Sequence, residues 1–167
     1  LKATPEIRSV RFDLADRLAL IPMEMLPSLK YVPLFLVMTL LLQLADGDGW
    51  NFHFVHAALP YFISLLLGSA VFQILLPGLP TRSFALKSAF LGLAGAFACN
   101  FLFHSTGWNA AADMLIIPAI VTYLGLNFTG ATPFTSPSGV RKELSFALPA
   151  LIIALVVGIV FKIIAVI

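Results

Sequence analysis

The 167-residue chain is 60% hydrophobic and 11% charged, with a mean hydropathy of +1.00. Soluble domains carry about 25% charged residues, so this composition excludes one and describes a membrane protein. The formal net charge of +2 comes from basic residues scattered over the connections, which form no stripe and exclude a nucleic-acid partner. Its single cysteine, Cys99, excludes an intrachain disulfide and any cysteine-rich metal or iron–sulfur site built from this chain alone.

The opening residues are mixed and charged as far as Ser28, without the early basic patch and immediate apolar core of a signal peptide. An upstream soluble domain is compatible with that pattern. Within this stretch Phe12 to Met25 predicts a short interfacial amphipathic helix. Leu14, Leu18, Ile21 and Met25 recur at helical spacing, opposed by Asp13, Asp16, Arg17 and Glu24. Pro22 and Pro27 are expected to end or kink it before the chain enters the bilayer. Two roles stay open for this helix: a lead-in to the first span, or a docking surface for a soluble domain. Residues 1–28 are therefore read as a linker and residues 29–167 as the membrane domain.

Crossing roughly 30 Å of hydrocarbon takes about 20 apolar residues as a helix. Five stretches qualify: 29–44, 57–76, 84–103, 111–126 and 144–167. The fold class predicted is thus an all-α membrane protein, five transmembrane helices preceded by the interfacial one. Breakers separate the spans, with Asp46 to Gly49 after the first, Pro77 to Pro80 after the second and Ser105 to Gly107 after the third.

Charge predicts the orientation. Lys2, Arg8, Arg11, Arg17, Lys30, Arg82, Lys87, Arg141 and Lys142 all fall on one side of a five-helix zigzag, leaving only Lys162 inside the last span. The opposite connections hold Asp46, Asp48, His53, His56 and His104 and no Lys or Arg. The positive-inside tendency then predicts a multi-pass protein of the cytoplasmic membrane, N-terminus in the cytoplasm and C-terminus outside.

Small residues mark where helices approach in lipid. Ser88, Gly92, Ala96 and Asn100 line one face of the third span; Ala150, Ala154 and Gly158 do so in the fifth, and Ser64 and Gly68 in the second. The third span is expected near the centre of the bundle. Cys99 beside that face reads either as a small buried hydrophobe or as a soft-metal ligand, with Met114 a helper if the helices bring it close. Asn100 is expected to face the bundle, because lipid offers its amide no partner. Asp113 reads as an interface or helix-start charge, or, if buried, as an ion or proton site. His53 and His56 share a helical face but lack the remaining ligands of a zinc site.

The most unusual segment follows the fourth span. From Asn127 to Gly139 there are no charges, but five hydroxyl residues, two prolines and two glycines, followed by Val140, Arg141, Lys142 and Glu143. Pro133 and Pro137 oppose a regular helix, and the hydroxyls of Thr129, Thr132, Thr135, Ser136 and Ser138 can satisfy the backbone groups this frees. An irregular loop folded back on the bundle mouth is expected, with Ser138 or Gly139 beginning the last helix.

Asn127 to Glu143, NFTGATPFTSPSGVRKE, resembles the membrane segment of the corrinoid proteins of microbial mercury methylation, and Val10 to Met25, VRFDLADRLALIPMEM, resembles the link that family places between its corrinoid domain and its first membrane helix. The resemblance extends over the five-span layout. It implies a methyltransferase in which an upstream cobalamin domain hands a methyl group from cobalt to Hg(II), while a ferredoxin-like partner with [4Fe-4S] clusters restores the reduced corrinoid. The family's Asn-Val-Trp-Cys-Ala cap-helix signature is absent, so the resemblance places no catalytic residue in this chain. It makes Asn127, Thr129, Thr132, Thr135, Ser136, Ser138 and Arg141 organisers of a domain contact or substrate vestibule, and leaves Cys99 as a metal site receiving Hg(II). Two other readings stand beside it: a transporter module for a small solute or metal, with Asn100, Asp113 or Lys162 along its route, and a plain membrane anchor or scaffold.

Overall fold

The computed structural model describes residues 14–46, 52–79, 83–131 and 137–166. Among these all regular structure is helical. Five stretches are long and apolar enough to cross a bilayer: Ile21–Leu44, Phe54–Leu75, Phe84–Leu102, Gly107–Asn127 and Glu143–Val166. The protein is an all-α, multi-pass membrane protein, and its spans follow the apolar runs of the sequence.

Helix α1, Leu14–Ser28, passes through both Pro22 and Pro27. A 3₁₀ turn, Leu29–Tyr31, joins it directly to α2, Val32–Asp46. The prolines do not end the helix as expected, because each removes only one backbone bond at an exposed position while its fixed φ suits the helix. The break falls instead where Ser28 turns inward and its hydroxyl donates to the Met25 carbonyl at 2.7 Å. The lead-in helix is consequently not set apart from the first span.

The second span comprises α3, Phe52–Leu66, a π-helical turn, Leu67–Val71, and α4, Phe72–Leu75. A π turn carries an extra residue and resets which side chains face inward beyond it. Here Phe72 and Gln73 both follow it into full burial.

Helix α5, Phe84–Leu102, begins with Ser83, whose hydroxyl accepts the Leu86 N–H at 3.4 Å. Helix α6, Gly107–Ala131, and α7, Pro137–Val166, complete the bundle. These bounds shorten the stretch expected to be irregular: Asn127 to Ala131 belong to α6 and Pro137 to Gly139 to α7. Proline is tolerated at a first helical position because its missing N–H would have no partner there. Thr132, Thr135 and Ser136 lie outside the described residues, as does the start of the Val10–Met25 segment.

The centre of the bundle is α6, not the third span. Within the fourth span 61% is buried, against 28% for the third and 6% for the fifth. Residues on all sides of α6 are buried, among them Ala112, Ile116, Ile117, Val121 and Leu124, as befits a helix surrounded by others. The small-residue face of α5 does form one of its interfaces. Ser88, Gly92 and Ala96 are buried, and Gly92 lies against the backbone of Pro118. On α7 only Gly158 of the small series is buried, against Ile116.

Two apolar clusters fill the core. In one, Tyr61 and Leu65 pack with Ala112, Ile116, Ile120 and Leu124; in the other, Ala96 and Cys99 pack with Ile117 and Val121. Phe97, Phe101 and Phe146 point outward, which suits a lipid-facing surface.

Candidate functional site

The residues singled out by the sequence divide between the two ends of the bundle. At the end carrying Lys30, Lys87 and Arg141, the Tyr31 and Tyr123 hydroxyls lie 3.2 Å apart with their rings edge-on. This contact ties the 3₁₀ turn of the first span to α6, and Asn127 stands one helical turn beyond Tyr123. Thr129 occupies the last turns of α6, and Ser138 and Arg141 the first turns of α7. Glu143 reaches across to α5, where its Oε2 accepts the Phe84 and Ala85 N–H groups at 3.1 and 3.3 Å. A carboxylate there satisfies amides that a helix start leaves open and meets the positive end of the helix dipole. Lys87 donates to the Leu76 carbonyl at 2.9 Å, closing the end of the second span. Sequence reasoning had not assigned Glu143 this role.

Cys99 is 2% exposed and sits in the second apolar cluster, which Met114 also contacts. Among the described residues no group of three His, Cys, Asp or Glu side chains converges on a common point. Asn100 points its amide at the turn between α5 and α6, donating to the Ala110 carbonyl at 3.1 Å, so it clasps a helical hairpin. His56 packs edge-on against Phe103.

The opposite end holds an arrangement that the sequence did not reveal as a unit. Asp113, 2% exposed, places its Oδ1 at 2.9 Å from Lys162 Nζ. The atoms are close enough for an ion pair but not aligned for a hydrogen bond. Lys162 donates to Asn109 Oδ1 at 3.3 Å and lies over the Tyr61 ring, 5.9 Å from its centroid. The Tyr61 side chain is buried beside the lysine, its hydroxyl without a hydrogen-bond partner among the described residues. A cavity of about 130 Å³ adjoins the pair, with Thr39 and Gln43 of α2 and Tyr61 of α3 in its wall.

Each contributing helix offers residues four apart, which share a helical face: Thr39 with Gln43, Ala57 with Tyr61, Asn109 with Asp113, Lys162 with Val166. Asp113 and Lys162 had been marked separately as candidates for a polar route; Thr39, Gln43, Tyr61 and Asn109 had not been marked. The available signal was the repeated polar residue at four-residue spacing in apolar helices, Thr39 with Gln43 and Asn109 with Asp113.

Three buried serine hydroxyls are taken up locally, whereas the Thr122 hydroxyl on α6 is buried without a hydrogen-bond partner among the described residues. Ser64, Ser69 and Ser88 donate to carbonyls three or four residues earlier at 2.6, 2.6 and 2.7 Å. They hold helices together and offer no acceptor-rich path. Comparison of the chain with protein-family models, characterised proteins and solved structures returns no match.

Proposed function

We propose that this chain is the membrane portion of a corrinoid-dependent methyltransferase that methylates Hg(II), anchoring and positioning a cobalamin domain that precedes residues 1–28. The observation that carries the reading is the Tyr31–Tyr123 contact. Tyr31 follows the leading helix and Tyr123 precedes Asn127 by one helical turn, so the contact lies near where the two segments of the family resemblance, Val10–Met25 and Asn127–Glu143, adjoin the bundle. By charge placement this end faces the cytoplasm, where a soluble corrinoid domain and a ferredoxin-like [4Fe-4S] partner would meet it. The start of the leading helix, ahead of the first span at Ile21, would lie at that interface. The rigid ties at this end, Glu143 on the α5 amides and Lys87 on Leu76, support a scaffold that fixes the position of whatever docks there.

Cobalamin belongs to the preceding domain in this reading. Cys99 is enclosed among Ala96, Ile117 and Val121 and does not fit a cobalt-facing role. Its thiol is the one thiol of the chain, a soft ligand for Hg(II).

The test is methylmercury formation by the complete protein with its iron–sulfur partner in membranes. Substituting Asn127, Ser138 and Arg141 together by alanine should lower the rate at least tenfold while leaving the isolated corrinoid half-reaction intact. Cys99→Ala should lower it further only if the thiol relays Hg(II). An unchanged rate in the triple variant, or a full reading frame without a corrinoid domain, would defeat the proposal.

A second reading, a transport module for a small solute or metal, is favoured by the buried Asp113–Lys162 pair, because intramembrane charges often mark pathways.

A further inference from the structure

Burying an ion pair inside a membrane bundle is expensive, and replacing it by apolar side chains would usually cost nothing. The Asp113–Lys162 pair therefore calls for a reason beyond stability. The groups around the Lys162 ammonium supply one. It meets a carboxylate oxygen at 2.9 Å, an amide oxygen at 3.3 Å and the face of an aromatic ring at 5.9 Å. A carboxylate, a carbonyl oxygen and a π face together form the recognition set for an ammonium group. Two further acceptors are left over beside the cavity: Gln43 Oε1 and the Tyr61 hydroxyl are buried and without a hydrogen-bond partner among the described residues. Both residues are more than nine-tenths buried and line the adjoining cavity of about 130 Å³. A water occupies about 30 Å³ of liquid volume, so the cavity has room for a small polar group beside the lysine. The cluster holds more acceptors than one ammonium uses.

We propose that Asp113, Asn109, Tyr61 and Gln43 form a binding site for a primary ammonium group, and that Lys162 is its tethered occupant. Lys162 stands one helical turn before Val166, the last residue of α7. A lysine so near a helix end can extend its four-carbon stem out to the interface. Once it does, a carboxylate, two amide oxygens and an aromatic face are left for an ammonium arriving from that end. Entry is by exchange of one ammonium for another, so the charge of the site is conserved. A quaternary ammonium would fit worse, because it has no N–H to give to Asp113, Asn109 or Gln43. Two sources carry the right group: a free primary amine in solution, or the ethanolamine headgroup of a lipid.

The experiment removes the tether. In the Lys162→Met protein, reconstituted in phosphatidylcholine discs at mildly alkaline pH, Asp113 loses its partner and the thermal midpoint should fall by roughly 10 °C. Methylammonium chloride should restore most of that loss saturably, while sodium chloride at equal ionic strength should not. The Asp113→Asn, Lys162→Met double variant should not respond. Wild type should respond only at far higher methylammonium, because the tethered lysine competes at a high effective concentration. Restoration by phosphatidylethanolamine discs without added amine would identify the headgroup as the source, and restoration by methylammonium alone a free amine.

Should Lys162→Met be recovered only as aggregate, the yield of folded protein prepared in methylammonium against sodium reads the same competition, and an equal yield overturns the proposal. So does equal rescue by sodium, a response in the double variant, or a Lys162→Met protein as stable as wild type and indifferent to methylammonium.

Discussion

Gly92 and Gly158 show how differently two glycines can be constrained against one helix. A Cβ at Gly92 would lie 2.5 Å from Pro118 Cα, which is backbone and cannot move aside without parting α5 from α6. A Cβ at Gly158 would lie 2.5 Å from Ile116 Cγ1, a side-chain atom, and no nearer than 3.3 Å to backbone, at the Ala112 carbonyl oxygen, so a small shift of α7 relieves it more readily than at Gly92. Each Gly→Ala change also gains about 1 kcal/mol of helix propensity. Gly92→Ala is therefore expected to destabilise the bundle by about 2 kcal/mol net, and Gly158→Ala by less than about 1 kcal/mol. Unfolding of both variants in mild detergent decides this, and the reverse order would mean that α7, not α5, is the rigid neighbour of α6. The four-residue spacing of Ser88, Gly92 and Ala96 made the α5 interface legible in sequence. The same spacing in Ala150 and Ala154 also marks a side of α7 turned toward α6, but across a cavity lined by Leu115, Pro118 and Ala119, so these residues are less covered than Gly158. A small-residue stripe states that close approach is possible; it does not state that the gap is filled.

At the scale of elements, apolar runs near twenty residues made the spans legible to within about four positions, because only a helix can carry that many backbone amides through lipid; the exception is the start of the first span, which lies at Ile21 rather than at residue 29. Termini were less legible. The hydroxyl-rich stretch after the fourth span reads as irregular, yet α6 carries helix through Ala131 and α7 resumes at Pro137. Proline at a helix start is favourable rather than disruptive, and a glycine or threonine within a membrane helix costs little when lipid offers no alternative partner for the backbone. What fixes this end is a contact between remote elements, Glu143 on the first amides of α5. Removing it by Glu143→Ala should cost about 1 kcal/mol and raise hydrogen exchange at Phe84, Ala85 and Leu86 several-fold. Amides in the middle of α6 should keep their wild-type protection. Unchanged exchange at the α5 start would show that Ser83 caps it alone.

For the whole molecule, neither the central helix nor the polar cluster could be read from the sequence. Both depend on how many neighbours surround a face, and Gln43, Tyr61, Asp113 and Lys162 are separated by up to most of the chain. Their assembly also bears on whether the bundle conducts. One turn deeper than Asp113 lie Ile116 and Ile117, 1% and 0% exposed, and the apolar cluster of Leu65, Ile120 and Leu124 continues toward the opposite end. Ser64, Ser69 and Ser88 spend their donors on their own helices. Among the described residues the cavity beside Lys162 thus opens onto packed hydrocarbon, where a bare ion would lose its hydration without compensation. A vestibule with a closed floor suits a binding site on a scaffold better than a conduit. Purified protein in sealed liposomes is accordingly expected to pass sodium, potassium and methylammonium no faster than protein-free vesicles. A flux that appears with the protein and disappears in Asp113→Asn would restore the transport reading, since it would require the isoleucine floor to open and admit charge from the Asp113 side.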